Sequence, residues 1–221
     1  MTRPDLSDYL IHFTKDASGV SAIDTFCQIV TDRVLKGGTG MIKGSQPCVC
    51  FSEAPLSALQ DGLIHPAKFK QKYAPFGFMV RKDWLFEQGG RPVIYQSDSE
   101  FHLLPESMQW RHVRYEPPKI DFTWEREWRI KREELPIDPD DVKLVFPNGF
   151  AKDVVSSWVQ EYKYDLLGYQ SPKNIAEQEF DPEHPYPEDY FETDYWDDGL
   201  KLEAMFPDFS EWEAVYIDLE E

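Results

Sequence analysis

Two periods of apolar residues alternate along the chain, and they separate strands from helices. The run Tyr9 to Phe13 is short and mostly apolar, and it predicts a first strand that ends in His12-Phe13-Thr14. Ser21 and Asp24 have the spacing of a capping box, and Ile23, Phe26, Cys27, Val30 and Val34 recur at helical intervals. A helix is therefore expected, stopped by Gly37-Gly38. Pro47 to Phe51 predicts a buried strand, after which Ser52 caps a helix with Leu56, Leu59 and Leu63 on one stripe. A strand at Phe76 to Val80, a short helix from Asp83 to Gly89-Gly90 and a strand at Pro92 to Tyr95 follow.

Gln96 to Lys119 has few periodic apolar positions, so it predicts a long loop with one helical turn near Glu106. Ile120 to Ile130 is the longest predicted strand, and strict alternation there sends Glu125, Glu127 and Arg129 to one face and Trp124 and Trp128 to a core on the other. Val142 to Phe146 predicts a further strand, and Asp153 to Leu167 a helix with Val154, Val155, Trp158, Val159 and Tyr162 turned inward. Val215, Ile217 and Leu219 alternate with polar neighbours, as in a strand added to a sheet edge. Helices come early and the later strands are joined by loops, which predicts an α+β fold rather than a doubly wound sheet.

Charge divides the chain unevenly. The 41 acidic and 23 basic residues leave a net charge of −18 over 221 residues. Residues 176–221 hold 17 acids and a single base, Lys201. A body at residues 1–170 and an acidic extension at 171–221 are the expected units. The extension carries Phe180, Tyr186, Tyr190, Phe191, Tyr195 and Trp196, a composition unlike plain disorder. Such a balance argues against nucleic acid as a constitutive partner, because neutralising phosphates requires clustered cations. Lys36, Lys43, Lys68, Lys70, Lys72, Arg81 and Lys82 would have to converge to make a basic groove.

Cys27, Cys48 and Cys50 are an odd number in a chain without an apolar leader, so a reducing, cytoplasmic setting is expected and a disulfide framework is not. Cys48-Val49-Cys50 has no second ligand cluster, and no metal is expected. No apolar run reaches membrane-spanning length, so no membrane partner is expected. Gly37-Gly38-Thr39-Gly40 follows a helix, whereas a phosphate cradle precedes one.

Three pieces together, His12-Phe13-Thr14, Cys50-Phe51-Ser52 and Glu125-Arg126-Glu127, resemble the ADP-ribosyltransferase fold, in which the ends of two early strands and a late Glu-x-Glu surround NAD. The set extended by Phe76-Gly77-Phe78, Gly89-Gly90-Arg91-Pro92-Val93-Ile94-Tyr95 and Trp124 to Arg129 is similar to bacterial abortive-infection proteins of the AbiGi type, distantly related to DarT-like toxins. The similarity spans about residues 9 to 147 and leaves the acidic extension outside. It implies mixed sheets with peripheral helices, NAD as substrate, an acceptor macromolecule, and a role as a toxin in phage defence with an antitoxin as a further partner, while the acidic extension suits a basic protein partner.

By that resemblance Glu127 grips the ribose hydroxyl next to the developing cation, and Glu125 orients or deprotonates the acceptor. Arg129 supports both acids, and His12 with Thr14 or Ser52 hydrogen-bonds the nucleotide. Phe51 or Tyr95 stacks on the nicotinamide, and Arg91 presents a guanidinium fork to the pyrophosphate. Each residue also has a plain structural role open to it. The glutamates and arginines suit a solvated charge ladder, and His12, Phe51 and Tyr95 suit a core. Ser52 suits a helix cap and Arg91 a turn. The competing function is a non-catalytic acidic interaction protein, antitoxin-like or a nucleic-acid mimic, that occupies a basic partner.

Overall fold

Alternation along Tyr9–Phe13 (β1) sends Leu10 to one face of a sheet and Ile11 and Phe13 to the other, and this division runs through the fold. The computed structural model describes residues 6–17, 19–40, 42–53, 73–170 and 205–217, with backbone alone for 164–170. The expected helix after Ser52 and most of the acidic extension, including Leu219, lie outside the described residues.

Six further strands join β1: Cys48–Ser52 (β3), Gly77–Arg81 (β4), Arg91–Pro92 (β5), Glu127–Lys131 (β8), Val142–Phe146 (β10) and Ala214–Tyr216 (β11). They lie in the order β11-β10-β4-β1-β3-β8-β5, antiparallel except for the parallel pair β10 and β11. Two short pairs flank this sheet, Val34–Lys36 (β2) with Glu134–Pro136 (β9), and Ile94–Gln96 (β6) with His112–Arg114 (β7). The fold is α+β with a mixed sheet, as the element order predicts.

Registers decide which residues share a face, because directly opposed residues point the same way. Leu10 opposes Val80, Phe51 opposes Trp128 and Val49 opposes Ile130, and all six are in the main core. Helix α1 (Ala22–Asp32) covers that face, its Phe26 ring lying 5.0 Å from Phe78 and 5.3 Å from Phe146. The opposite face is apolar at Ile11, Phe13, Met79 and Val145 but becomes polar across β3 and β8, where Cys50 opposes Arg129 and Ser52 opposes Glu127.

Several sequence expectations change for local reasons. Ser21 caps α1, accepting from the Asp24 amide at 3.0 Å, but Arg33 in the left-handed region ends the helix before Gly37-Gly38, and Val34 enters β2. Gly37 serves instead as a close-contact position: its N–H donates to the Glu133 carbonyl at 2.7 Å, and a Cβ there would overlap the Arg132 carbonyl. Gly37→Ala is expected to cost about 2–3 kcal/mol, read as a fall in the urea midpoint; an unchanged midpoint would contradict this packing.

Ile120 to Ile130 is not one strand. Asp121 accepts from the Thr123 amide and hydroxyl at 2.9 and 2.6 Å, which nucleates a 3-10 turn at Thr123–Glu125, and β8 begins only at Glu127. Trp124 is consequently 39% exposed, whereas Trp128 is in the core as expected. Gln96 to Lys119 is also more ordered than its pattern predicts. A Ser97–Glu100 capping box starts one 3-10 segment, Asp98–Leu103, and a second, Glu106–Arg111, leads into β7.

The expected strand Pro92 to Tyr95 divides at Val93 into β5 and β6, which belong to different sheets. The helix Lys82–Glu87 (α2) ends through Gly89 at φ 101°, as its sequence predicts. The last described helix, Gly149–Gln170 (α3), buries Val155 and Val159, while Val154, Trp158 and Tyr162 are exposed rather than inward. Residues 205–217 fold with the body. Phe209 and Trp212 enter the main core, β11 extends the sheet edge, and Lys143 binds Glu213 at 2.6 Å. No described helix is long and apolar enough to cross a membrane.

Candidate functional site

Strands β1 and β3 meet at a single pair, Ile11 with Ser52, whereas each makes five consecutive pairs with its other neighbour. In the gap beyond that pair, the His12 ring bonds the Cys50 carbonyl through Nδ1 at 2.8 Å. A carbonyl oxygen only accepts, so Nδ1 carries the proton and Nε2 retains its lone pair. Burial lowers the His12 pKa; the Cys50 hydrogen bond opposes this shift and the nearby Lys15 charge adds to it.

A cavity of about 410 Å³ opens at this gap. Seven residues anticipated from sequence border it: His12, Thr14, Phe51, Ser52, Glu125, Glu127 and Arg129. The glutamates reach it by different routes, Glu127 from the first position of β8 and Glu125 from the preceding turn, with Arg126 at φ 44° between them. Register places His12 on the core face, opposite Glu127, and only the parting of the strands lets its ring border the same space.

Glu127 is clamped. Its Oε1 accepts from Arg129 Nε at 2.7 Å and its Oε2 from Nη2 at 3.2 Å, a two-pronged pair with side chains 11% and 6% exposed. Arg129 Nη1 donates to the carbonyls of Trp110 and His112 at 2.9 and 3.1 Å. Burial works against the Arg129 charge, but the Glu127 carboxylate prevails and the guanidinium pKa is raised. Tyr95 fixes the backbone alongside, accepting from the Glu127 amide at 3.1 Å and donating to the Phe122 carbonyl at 3.2 Å.

Glu125 is 5% exposed and accepts from the Tyr73 hydroxyl at 3.2 Å. Ser52 Oγ donates to the Glu125 carbonyl at 2.7 Å, tying β3 to the turn. Burial raises the Tyr73 phenol pKa, with both carboxylates adding to the shift, so Tyr73 stays a proton donor. Burial likewise raises Cys50, reinforced by Glu127, and pushes Cys27 and Cys48 up to about 11. All three cysteines are free thiols rather than activated nucleophiles.

These contacts give structural roles to four of the expected site residues. Arg129 spends its donors on Glu127 and two carbonyls, so it positions the acid rather than a nucleotide. Phe51 is 2% exposed within the main core, with its ring edge-on to His12 at 5.8 Å, and it offers no stacking face. Tyr95 does not line the cavity; its phenol, raised by burial to about 12, is a backbone clamp. Arg91 lies 3.9 Å over the Phe86 ring and donates to the Phe86 and Gly90 carbonyls, away from the cavity. Thr14 borders the cavity, but its hydroxyl donates to the Phe76 carbonyl at 3.2 Å.

Tyr73 and Lys15 are the residues that sequence patterning missed. Both lie outside regular elements, and only chain folding brings them to the cavity that the carboxylates border. A second cavity, beside β4 and β10, is walled by acids that include the paired Asp83 and Glu213. Among the described residues no group of three or more His, Cys, Asp or Glu side chains is arranged to hold a metal.

The His12 shift carries a pH dependence. A lowered native pKa means that the unfolded chain binds more protons as pH falls below about 6.5, so the contribution is intact above that value and is lost toward the native pKa. The melting temperature should fall between about pH 6.5 and 5 in the wild type and fall less in His12→Gln; parallel profiles would show that His12 does not titrate this way.

Comparison of the chain with protein-family models, curated proteins and solved structures returns no match.

Proposed function

We propose that the protein cleaves the nicotinamide–ribose bond of NAD, as an ADP-ribosyltransferase or NAD glycohydrolase with an ADP-ribosyltransferase-like fold. The observation that carries this reading is the convergence of Glu125, Glu127 and His12 on one cavity at the parting of β1 and β3. His12 comes from a strand far from the two glutamates in the chain, and the two acids are largely buried beside a tightly held cation.

In the proposed reaction the C–N bond breaks, its electron pair passes to the pyridinium, and neutral nicotinamide leaves a cationic ribose. Glu127 faces that cation; with one Arg129 N–H on each oxygen, it keeps lone pairs for a ribose hydroxyl. Water or an acceptor then bonds to the ribose carbon and gives its proton to Glu125. Glu125 is turned toward Tyr73, which holds the carboxylate in place for that transfer. His12 Nε2 accepts a hydrogen bond from the nucleotide.

A bacterial cell would experience such an enzyme as a toxin, which fits a role in abortive infection. Incubation with NAD should release nicotinamide, and expression in a bacterial host should arrest growth unless Glu127 is replaced. Absence of both effects in folded protein rejects the proposal. The net charge of −18 supports a second reading, occupation of a basic protein partner. Salt-sensitive binding to such a protein without NAD turnover would favour it.

A further inference from the structure

Arg91, the residue expected to meet a pyrophosphate, is held on Phe86, yet the cavity is not without cations at its exposed edge. Lys15 and Lys36 both line it, and both are exposed, in contrast to the buried Glu125 and Arg129 and the partly buried Glu127 in the same lining. We propose that Lys15 and Lys36 form an anion subsite at the cavity mouth, one that binds the diphosphate of a dinucleotide and sets specificity against ligands lacking phosphate. Which bond is cleaved rests on the NAD reading above; the anion subsite itself does not.

Among the described residues, the other cations of the candidate basic groove are ion-paired, whereas Lys68, Lys70 and Lys72 lie outside the described residues. Lys43 pairs with Asp98 at 2.5 Å, Lys82 with Glu53 at 2.6 Å and Arg81 with Asp83 at 2.6 Å. Arg129 is consumed by Glu127. Lys15 makes no ion pair among the described residues, and Lys36 meets only Asp32, one turn back on α1, at 3.3 Å with its side chain 67% exposed. Lys15 thus meets no carboxylate among the described residues, and Lys36 shares its charge with one acid across a longer contact than those of Lys43, Lys82 and Arg81.

Their placement gives the cavity a polarity. Buried carboxylates repel phosphate and favour a cationic or hydroxyl-bearing group, while the exposed lysines favour phosphate. A ligand cationic at one end and anionic at the other is thereby oriented, with the pyridinium and its ribose toward Glu125 and Glu127 and the diphosphate outward. A nicotinamide riboside satisfies only the inner half.

The test uses inorganic pyrophosphate and ADP-ribose as binding probes by calorimetry, and NAD against nicotinamide riboside as substrates, on the full chain. Lys15→Ala with Lys36→Ala is expected to weaken pyrophosphate and ADP-ribose binding about tenfold and to raise the KM for NAD similarly. Preference for NAD over the riboside should fall by the same factor, and wild-type pyrophosphate affinity should decline with added salt. Both side chains are exposed, and an unchanged melting temperature verifies folding. Pyrophosphate binding that depends on the lysines, in a protein that does not cleave NAD, upholds the subsite and rejects the NAD reading. NAD cleavage with a KM indifferent to both substitutions does the reverse. Failure of the wild type to bind pyrophosphate overturns the subsite.

Discussion

Arg129→Ala is expected to destabilise the protein by about 3–5 kcal/mol, the range for removing one member of a buried ion pair. The substitution strands the Glu127 carboxylate, which is 11% exposed and receives both prongs of the guanidinium, and it strips the Trp110 and His112 carbonyls of a shared donor. Those carbonyls belong to the 3-10 segment and strand that follow Ser97, so the loss should loosen that region as well as the start of β8. Urea denaturation measures the effect. Arg129→Met combined with Glu127→Gln should be less destabilising than the two single changes added together, because no unpaired charge is left behind. A cost below about 1 kcal/mol for Arg129→Ala would mean that the pair behaves as a solvated surface bridge.

Glu127→Gln is expected to lower nicotinamide release by about 10²–10³-fold, the effect typical of removing one preorganised electrostatic contact to a transition state. The amide is nearly isosteric and retains one acceptor oxygen for Arg129, but it has no charge to set against a cationic ribose. Some stability is lost too, since Arg129 then lacks its counter-charge, and rates must be normalised to the folded fraction measured by melting. Release at the wild-type rate from folded Glu127→Gln would remove Glu127 from the chemistry. Glu125 and its Tyr73 partner would then be the remaining acidic centre of the cavity.

The assembly of the site was partly legible in the sequence. The Glu-x-Glu spacing pointed both acids to one side by assuming a continuous strand, and both acids do border one cavity. The route is different: an Asp121–Thr123 turn and a left-handed Arg126 carry Glu125 there. Period-2 alternation was therefore an incomplete account of the geometry. Phe51 shows the opposite case. Its alternation with Cys50 and Ser52 already sets it on the other face, and its burial against Trp128 follows from that pattern. Tyr95 and Arg91 had no local signal to separate ligand contact from scaffold, because their partners, the Phe122 carbonyl and the Phe86 ring, depend on how loops return.

Apolar period and capping chemistry alone determined the α+β class, the core strands β1, β3, β4 and β10, the start of α1 and the sheet-edge role of the last strand. Each of those follows from residues close together in the chain. Tertiary structure decided that β1 and β3 part after one pair, that His12 fills the gap, and that Arg129 closes on Glu127 rather than on a ligand. It also decided that Lys15 and Lys36 stand at the same cavity as two buried acids. The physical reason is that a strand's period records which face a residue occupies, whereas the distance between residues more than 100 positions apart is set by strand order and register.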